Sequence, residues 1–143
     1  MSNWVPTGGP GSSTLDAVRV LIAHDSPNAR QELRVGLEPL RAVKIVAEAS
    51  NSEEAVDLFL RHRPEVVLVS VCMPGKGGFE VLQAIKRAAP GCVVILTTHW
   101  PEPFVEETGR LLGATAVCAL MGGRARICGI VGALAGPESR ARA

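Results

Sequence analysis

The chain has 143 residues, of which 47% are hydrophobic and only 3% aromatic, and its formal net charge is +1. This length suits a single domain with an aliphatic core, and the near-neutral charge argues against a general attraction to nucleic acid or to anionic membranes. The N-terminus does not have the pattern of a signal peptide, and no apolar run approaches the ~18 residues of a membrane span. We therefore expect a cytoplasmic protein with neither a membrane nor a direct nucleic-acid partner.

The two ends of the chain differ in composition from its middle. Residues 1–17 are rich in Gly, Pro, Ser and Thr and show no hydrophobic periodicity, which is typical of a flexible leader. Residues 136–143 begin with Gly-Pro and end polar and basic, which indicates a tail. The sequence thus predicts one domain over residues 18–135.

The four cysteines do not form a recognisable metal or redox motif. They stand at positions 72, 92, 118 and 128, without a CxxC pair or zinc-like spacing. All four lie in apolar or strand-like surroundings, where a free cysteine behaves as a small hydrophobic residue. We expect free thiols in a reducing compartment.

Five short apolar runs predict buried strands, because they are rich in β-branched and small apolar residues without polar alternation. The predicted strands are Val18–Ala23, Val43–Ala47, Val66–Val71, Cys92–Thr97 and Thr115–Leu120.

Helical patterns fill the gaps between these runs. Ser26 followed by Pro27 predicts an N-cap and a first helical turn. Asn51 with Glu54 three residues later predicts a capping box at the start of a second helix. A third helix is expected to carry Phe79, Leu82 and Ile85 on one face.

The last two helices have weaker patterns. A fourth is expected near Glu102–Leu112, although Pro101, Pro103 and Gly109 lower its helix propensity. A fifth is predicted from apolar residues at helical spacing, namely Ile127, Ile130, Val131 and Leu134.

Strict alternation of strand and helix predicts an α/β fold, a doubly wound parallel sheet of five strands covered on both faces. Ligands of such sheets bind beyond the carboxyl ends of the strands. The loops that begin at His24, Ser70 and Thr97 are therefore expected to form the functional edge.

At this point the chain resembles a known family, the receiver domain of bacterial two-component response regulators. The segment "VRVLIAHDSPNARQELRVGLEPL" is similar to the family's first strand and helix, and "RPEVVLVSVCMPGKGGFE" is similar to its central part. The resemblance runs from about residue 18 to 135. It implies a flavodoxin-like (β/α)5 fold with the strand order 2-1-3-4-5.

The resemblance also implies a chemistry, the transfer of a phosphoryl group from a histidine kinase to an aspartate, with Mg²⁺ bound beside it. Carried over position by position, much of that chemistry is missing here. An acidic pair falls on His24 and Asp25, and the acceptor position falls on Ser70. The backbone metal ligand falls on Cys72 and the conserved hydroxyl of the family on Thr97. The lysine position falls on Leu120 and the aromatic switch position on Val117.

These differences predict a receiver that does not accept phosphate. An acyl phosphate requires a carboxylate, whereas a serine hydroxyl needs an adjacent base to become nucleophilic. Mg²⁺ is usually held by one or two carboxylates in addition to phosphate oxygens, and only Asp25 is available. We expect no catalytic residues, no cofactor, weak or absent magnesium binding, and a role as a phosphorylation-independent interaction module in signal transduction or transcriptional regulation.

The resemblance implies that the face made by the fourth helix, the fifth strand and the fifth helix serves for dimerisation or partner docking, and we expect the partner surface there. In "THWPEPF", Trp100 and Phe104 stand among prolines, and Val117 lies in the neighbouring strand. Exposed aromatic residues are enriched in binding hot spots, although Trp100 could equally fold back over the core. A protein partner or a second copy of the chain is the expected binding partner.

Two alternatives remain open. The altered pocket, which consists of His24, Asp25, Ser70, Cys72, Thr97 and Leu120, could bind a small effector molecule. A transition metal is the other candidate ligand, because His24, Asp25, Cys72 and His99 all follow strands at one end of the sheet.

Overall fold

The computed structural model describes residues 17–134. The predicted tail, residues 136–143, lies outside the described residues, as does the predicted leader except for residue 17. None of the helices in residues 17–134 has the length and apolar composition needed to cross a bilayer.

The described chain alternates five strands with five helices. The strands are β1 (Val18–Ala23), β2 (Val43–Ala49), β3 (Val66–Ser70), β4 (Val93–Thr98) and β5 (Ala116–Ala119). The helices are α1 (Pro27–Leu37), α2 (Ser52–His62), α3 (Gly77–Ala88), α4 (Pro103–Leu111) and α5 (Arg124–Leu134).

All five strands lie parallel in one sheet with the order β2-β1-β3-β4-β5. The predicted fold class, a doubly wound parallel sheet in this order, is therefore confirmed. The strand boundaries differ from the predicted ones by up to two residues. Parallel pairing explains the largest difference, because β2 continues to Ala49 opposite Ala23 of β1.

The local signals at the start of the first two helices are confirmed with one correction. Ser26 is the N-cap of α1, and its hydroxyl accepts a hydrogen bond from the Ala29 N–H. Asn51 caps α2 by accepting from the Glu54 N–H at 2.8 Å. The reciprocal half of the predicted capping box is shifted, since the Glu54 carboxylate accepts from the N–H and the hydroxyl of Ser50. These bonds hold the pKa of Glu54 below its usual value.

The core consists of two hydrophobic clusters, one on each face of the sheet. Alternate residues of the buried strands divide between them, so that Val67 and Val69 of β3 face α2 and α3, while Val66 and Leu68 face α1 and α5. Because β3 is covered on both faces, all five of its residues are buried. This burial explains why the strand is continuously apolar until it reaches Ser70.

Candidate functional site

The candidate site lies at the carboxyl ends of the central strands. Ser70 is the last residue of β3 and pairs in register with Thr97 of β4. His24 follows β1 directly, and its N–H donates to the Ala49 carbonyl at the end of β2. Ser70, Thr97 and His24 are all buried, and with Ser52 they are the buried polar residues of the described chain. The polar interior of residues 17–134 is thus concentrated at this end of the sheet.

The Ser70 side chain is already engaged within the protein. Its hydroxyl donates a hydrogen bond to the Cys72 carbonyl at 3.1 Å. The next residue, Val71, donates its N–H to the Thr97 carbonyl at 2.9 Å, so the chain remains attached to β4 beyond the end of the strand. Within residues 17–134, no basic side chain forms a hydrogen bond with this hydroxyl, which donates to a backbone oxygen instead.

His24 is held as a neutral side chain. Its Nδ1 atom accepts a hydrogen bond from the Ser26 N–H at 3.0 Å, which requires an unprotonated Nδ1 and places the ring proton on Nε2. Burial lowers the pKa of His24; the Asp25 carboxylate opposes this effect, and the neighbouring His99 and Arg30 lower the pKa further. The Asp25 carboxylate lies 3.2 Å from Nδ1 and is half exposed.

A second carboxylate near this edge is neutralised by arginines, a feature that the sequence patterns did not reveal. Glu48, near the end of β2, pairs with Arg30 and Arg34 of α1 at 3.3 Å each. Arg30 also donates to the His24 carbonyl at 2.6 Å. Only the spacing of two arginines one helical turn apart could have indicated such a pair in advance. Glu48 is therefore committed to binding α1 to the sheet.

The loop after β3 is attached to the start of α2 through Ser52, which sequence reasoning also missed. The buried Ser52 hydroxyl accepts the Lys76 N–H at 2.8 Å, and the Ser52 N–H donates to the Pro74 carbonyl at 3.1 Å. Gly75 lies between these bonds with a φ of +96°, and a Cβ atom there would collide with the Ser52 hydroxyl. The Pro-Gly turn is thus fixed in one position.

The start of α3 is packed equally closely against the end of β3. The Gly78 N–H donates to the Val71 carbonyl at 2.9 Å. A Cβ atom at Gly78 would collide with the Ser70 carbonyl oxygen. The backbone from Ser70 to Gly78 is therefore held by contacts that do not involve the Ser70 side chain.

These side chains do not fit a magnesium ion. The Cys72 carbonyl already accepts the Ser70 hydroxyl, Asp25 is the only carboxylate that follows β1, and the neighbouring His24 is neutral. Mg²⁺ needs near-octahedral oxygen ligands, usually one or two carboxylates together with phosphate oxygens, and this edge offers the single carboxylate of Asp25 beside a carbonyl that already accepts a hydrogen bond. Within residues 17–134, no three His, Cys, Asp or Glu side chains converge as metal ligands, so His24, Asp25, Cys72 and His99 are not brought together as one set.

Two members of the predicted pocket lie apart from its buried polar centre. Leu120 follows β5 but is buried in the hydrophobic cluster on the α1 and α5 face of the sheet, because its side chain packs with aliphatic neighbours. Cys72 is exposed and contributes its carbonyl, not its thiol.

Of the three residues expected on a partner surface, the two aromatic ones are exposed, whereas Val117 is buried. Trp100 is 76% and Phe104 73% exposed, so Trp100 does not fold back over the core. Val117 is only 8% exposed because α4 covers it; a Cβ atom at Gly109 of α4 would lie 3.0 Å from its Cγ2 atom. Val117 therefore supports the surface from below.

Sequence reasoning missed two exposed hydrophobic residues that follow Phe104 along the chain. Leu111 at the end of α4 and Met121 after β5 are each 79% exposed. Leu111 stands seven residues after Phe104 and therefore shares its helix face, a spacing that could have indicated it.

The opposite end of the sheet carries a separate groove. It has a volume of about 450 Å³ and a mainly apolar lining that includes Val18, Phe59, Pro64, Cys92 and Leu134. Burial raises the pKa of the Cys92 thiol to about 11, so this cysteine stays protonated and unreactive. The groove contains none of the predicted site residues.

Comparison with known proteins identifies the fold family. Residues 20–119 match the family model described as the response regulator receiver domain. The chain belongs to the receiver domain family of response regulators. The signal receiver domain of NarL from Mycobacterium tuberculosis superposes with a TM-score of 0.77 at 28% identity, covering 84% of this chain and 97% of that one.

Two curated relatives of this receiver domain belong to longer proteins. A protein-glutamate methylesterase/protein-glutamine glutaminase of Syntrophus aciditrophicus is 33% identical over 103 residues, which are 72% of this chain and 29% of the relative. The response regulator UvrY of Escherichia coli K12 is 34% identical over 88 residues, 61% of this chain and 40% of the relative. The chain thus spans less than half the length of both relatives.

Proposed function

We propose that this receiver domain works as a phosphorylation-independent interaction module in signal transduction. The observation that carries the proposal is the Ser70 hydroxyl, which donates to the Cys72 carbonyl where the family resemblance expects an acceptor carboxylate and a metal ligand. An aspartate at this position could not donate in the same way when ionised, so the bond depends on the serine.

The charges around Ser70 support the same conclusion. Phosphoryl transfer depends on positioned cations that stabilise the transferring group. Here the site has a neutral His24, and the aliphatic Leu120 is buried in the core. The nearby Arg30 and Arg34 are already paired with Glu48.

The rigid backbone of the site supports a role as an interaction module, because it needs no ligand to keep its conformation. Bonds from Ser52 and Gly78 hold the loop after β3 without any ligand. A domain held in one conformation can present a constant surface, and Trp100 and Phe104 supply one on the neighbouring α4 side. The partner is a protein, which these two aromatic residues would anchor.

Intact-mass measurement after incubation with Mg²⁺ and a small acyl phosphate donor tests the proposal. We expect no added phosphate on the natural chain, and none on Ser70→Asp, because His24 and Leu120 remain. The combined variant His24→Asp, Ser70→Asp, Leu120→Lys restores the missing groups and serves as the positive control. Phosphate on the unmodified protein would refute the proposal.

A small-molecule sensor is the second candidate, and the buried polar cluster favours it. His24, Ser70 and Thr97 are enclosed at one edge of the sheet, and convergent polar groups in a recessed site are typical of ligand pockets. A thermal-shift screen of metabolites against the natural chain and Thr97→Val tests this function. A ligand that stabilises only the natural chain would support it, and no stabilisation across the screen would count against it.

A further inference from the structure

The groove at the other end of the sheet from the candidate site has a buried apolar floor and a charged rim. Val18, Phe59 and Pro64 belong to the floor and are buried. Arg63 and Glu65 belong to the rim and are exposed. A groove of this kind favours a side chain that has a large apolar body and a polar tip over a purely apolar chain.

The walls of this groove are held by hydrogen bonds between segments that are distant in sequence. The Arg19 guanidinium donates to the His62 and Arg63 carbonyls at the end of α2, at 2.6 and 3.3 Å. The Val93 N–H at the start of β4 donates to the Glu65 carbonyl at 3.0 Å. Because its walls are already ordered, the groove loses little conformational entropy when a side chain binds in it.

The rim offers contacts for an aromatic ring that carries a hydrogen-bond donor. The Arg63 guanidinium lies 5.5 Å from the centroid of the Phe59 ring, so a cation is already placed against an aromatic face. The Glu65 carboxylate accepts the Arg19 N–H through Oε1, and its second oxygen can accept a further donor. Tryptophan combines a wide apolar ring, a face that attracts cations and one N–H donor. This residue type therefore matches both the floor and the rim.

The N-terminal segment of the chain supplies such a side chain. Trp4 is followed directly by two apolar residues, valine and proline. The other tryptophan, Trp100, follows β4 at the opposite end of the sheet. Val18, the first residue of β1, is itself part of the groove, and its N–H donates to the Ala42 carbonyl. The N-terminal segment therefore joins the domain at the wall of the groove.

The length of the connection suits a contact between Trp4 and the groove. Residues 7–17 are mostly Gly, Ser and Thr, and a linker of that composition and length has a root-mean-square span of about 17–20 Å. A contact tethered in this way acts at an effective concentration of about 1 mM, so a dissociation constant of about 0.1 mM favours the docked state about tenfold. Residues 135–143, which follow Leu134 at the same groove, contain no aromatic or long aliphatic side chain.

From this match we infer that residues 4–6 dock in the groove of their own chain, with the Trp4 ring on the apolar floor and its N–H directed to the Glu65 carboxylate. The N-terminal segment then covers the end of the sheet at which the strands begin. The inference is independent of the proposed function, because neither Ser70 nor Trp100 lines the groove.

Tryptophan fluorescence of the full chain tests this inference, because each of the two tryptophans can be measured alone. Trp100→Phe leaves only Trp4 to emit, and Trp4→Phe leaves only Trp100, which is 76% exposed. We expect Trp4 to emit at shorter wavelength than Trp100. Its quenching by acrylamide should be at least about twofold weaker, because a ring in the groove is shielded from water and from the quencher. Equal quenching of the two tryptophans would overturn the inference.

A substitution in the groove shows whether Trp4 binds there. Leu134 lines the groove and is 46% exposed, so Leu134→Gln removes apolar contact without opening the core. In the Trp100→Phe chain it should raise the quenching of Trp4 by about twofold, because less apolar surface is buried on docking. Leu60→Gln is the matched control, since Leu60 is 49% exposed on α2 and is not part of the groove lining. A shielded Trp4 that is unaffected by Leu134→Gln would place the segment elsewhere and contradict the inference.

Dilution distinguishes docking within one chain from docking between two copies. Within one chain, the emission of Trp4 should stay unchanged over a dilution of about a hundredfold, because the linker alone sets the effective concentration. If the shielding of Trp4 disappeared on dilution, the segment of a second copy would be the occupant of the groove, and docking within one chain would be excluded.

Discussion

The loop that follows β3 and the exposed side of α4 differ in which side chains they bury. At the loop end, polar groups such as Ser70, His24 and Ser52 are buried and bonded to the protein's own backbone. On α4 and in the loop before it, large apolar groups are left exposed, among them Phe104 and Trp100. Buried polar groups are normally satisfied, and exposed apolar patches mark contact surfaces. The contrast teaches that the first region stabilises a fixed conformation and the second is available for binding.

The largest expected effect is on the free energy of unfolding, and it comes from a substitution at the start of α3, where the helix packs against the end of β3. Gly78→Ala should lower the free energy of unfolding by about 3 kcal/mol, because the new methyl group collides with the Ser70 carbonyl and the backbone must move. Chemical denaturation measures the change. Gly91→Ala has open space around it and should change stability by less than about 0.5 kcal/mol. Equal effects of the two substitutions would mean that the loop end is not held as tightly as the contacts indicate.

A smaller loss is expected where α2 holds the turn after β3. Ser52→Ala removes the acceptor of the Lys76 N–H and should cost about 1.5 kcal/mol in the free energy of unfolding. Ser50→Ala is the matched control, since the Ser50 hydroxyl bonds Glu54 in an exposed position and its loss should cost less than about 0.5 kcal/mol. Hydrogen exchange should show faster exchange at Lys76 in Ser52→Ala only; unchanged protection there would contradict the role of Ser52.

The buried histidine predicts a pH dependence of stability. The pKa of His24 in the fold lies below its usual 6.5, so the unfolded chain binds more protons than the folded chain as pH falls through that value. Stability should therefore decrease on acidification below about pH 7, with a slope from this group of at most about 1.4 kcal/mol per pH unit. Asp25, Arg30 and His99 are the charged or titratable groups that act on the ring.

Denaturation of His24→Asn between pH 5 and pH 7.5 measures this contribution, because the asparagine oxygen can still accept the Ser26 N–H without titrating. The variant should show a shallower slope than the natural chain. His99→Asn, at an exposed position, should keep most of the slope. An identical slope in His24→Asn would assign the pH dependence to other groups.

The smallest effect on stability should come from the α4 side, where the effect on binding is greatest. Trp100→Ala should change the free energy of unfolding by less than about 0.5 kcal/mol, because the side chain is exposed. The same substitution should weaken partner capture by tenfold or more if Trp100 is a hot spot, at a cost of about 1.4 kcal/mol or more. Ser70→Ala should leave capture unchanged. If Trp100→Ala retains every partner, the binding role of this surface is excluded.

Local chemistry allowed much of the fold to be predicted from the sequence. Ser26-Pro27 and Asn51 start helices where expected, since capping depends on bonds within a few residues. The apolar run before Ser70 is a strand because a centrally placed parallel strand is buried on both faces. The residues at the strand ends could also be named in advance, because parallel strands bring those ends to one edge.

By itself, the sequence determined which chemical groups stand at the edge of the sheet: a serine at 70, a histidine at 24 and a leucine at 120. Only the tertiary structure decided their environments. It buried Leu120 in the core, engaged the Ser70 hydroxyl with a carbonyl, and left Trp100 exposed while α4 covered Val117. Residue identity is local information, whereas burial and hydrogen-bond partners depend on segments that are distant in sequence and meet only when the sheet and its helices pack.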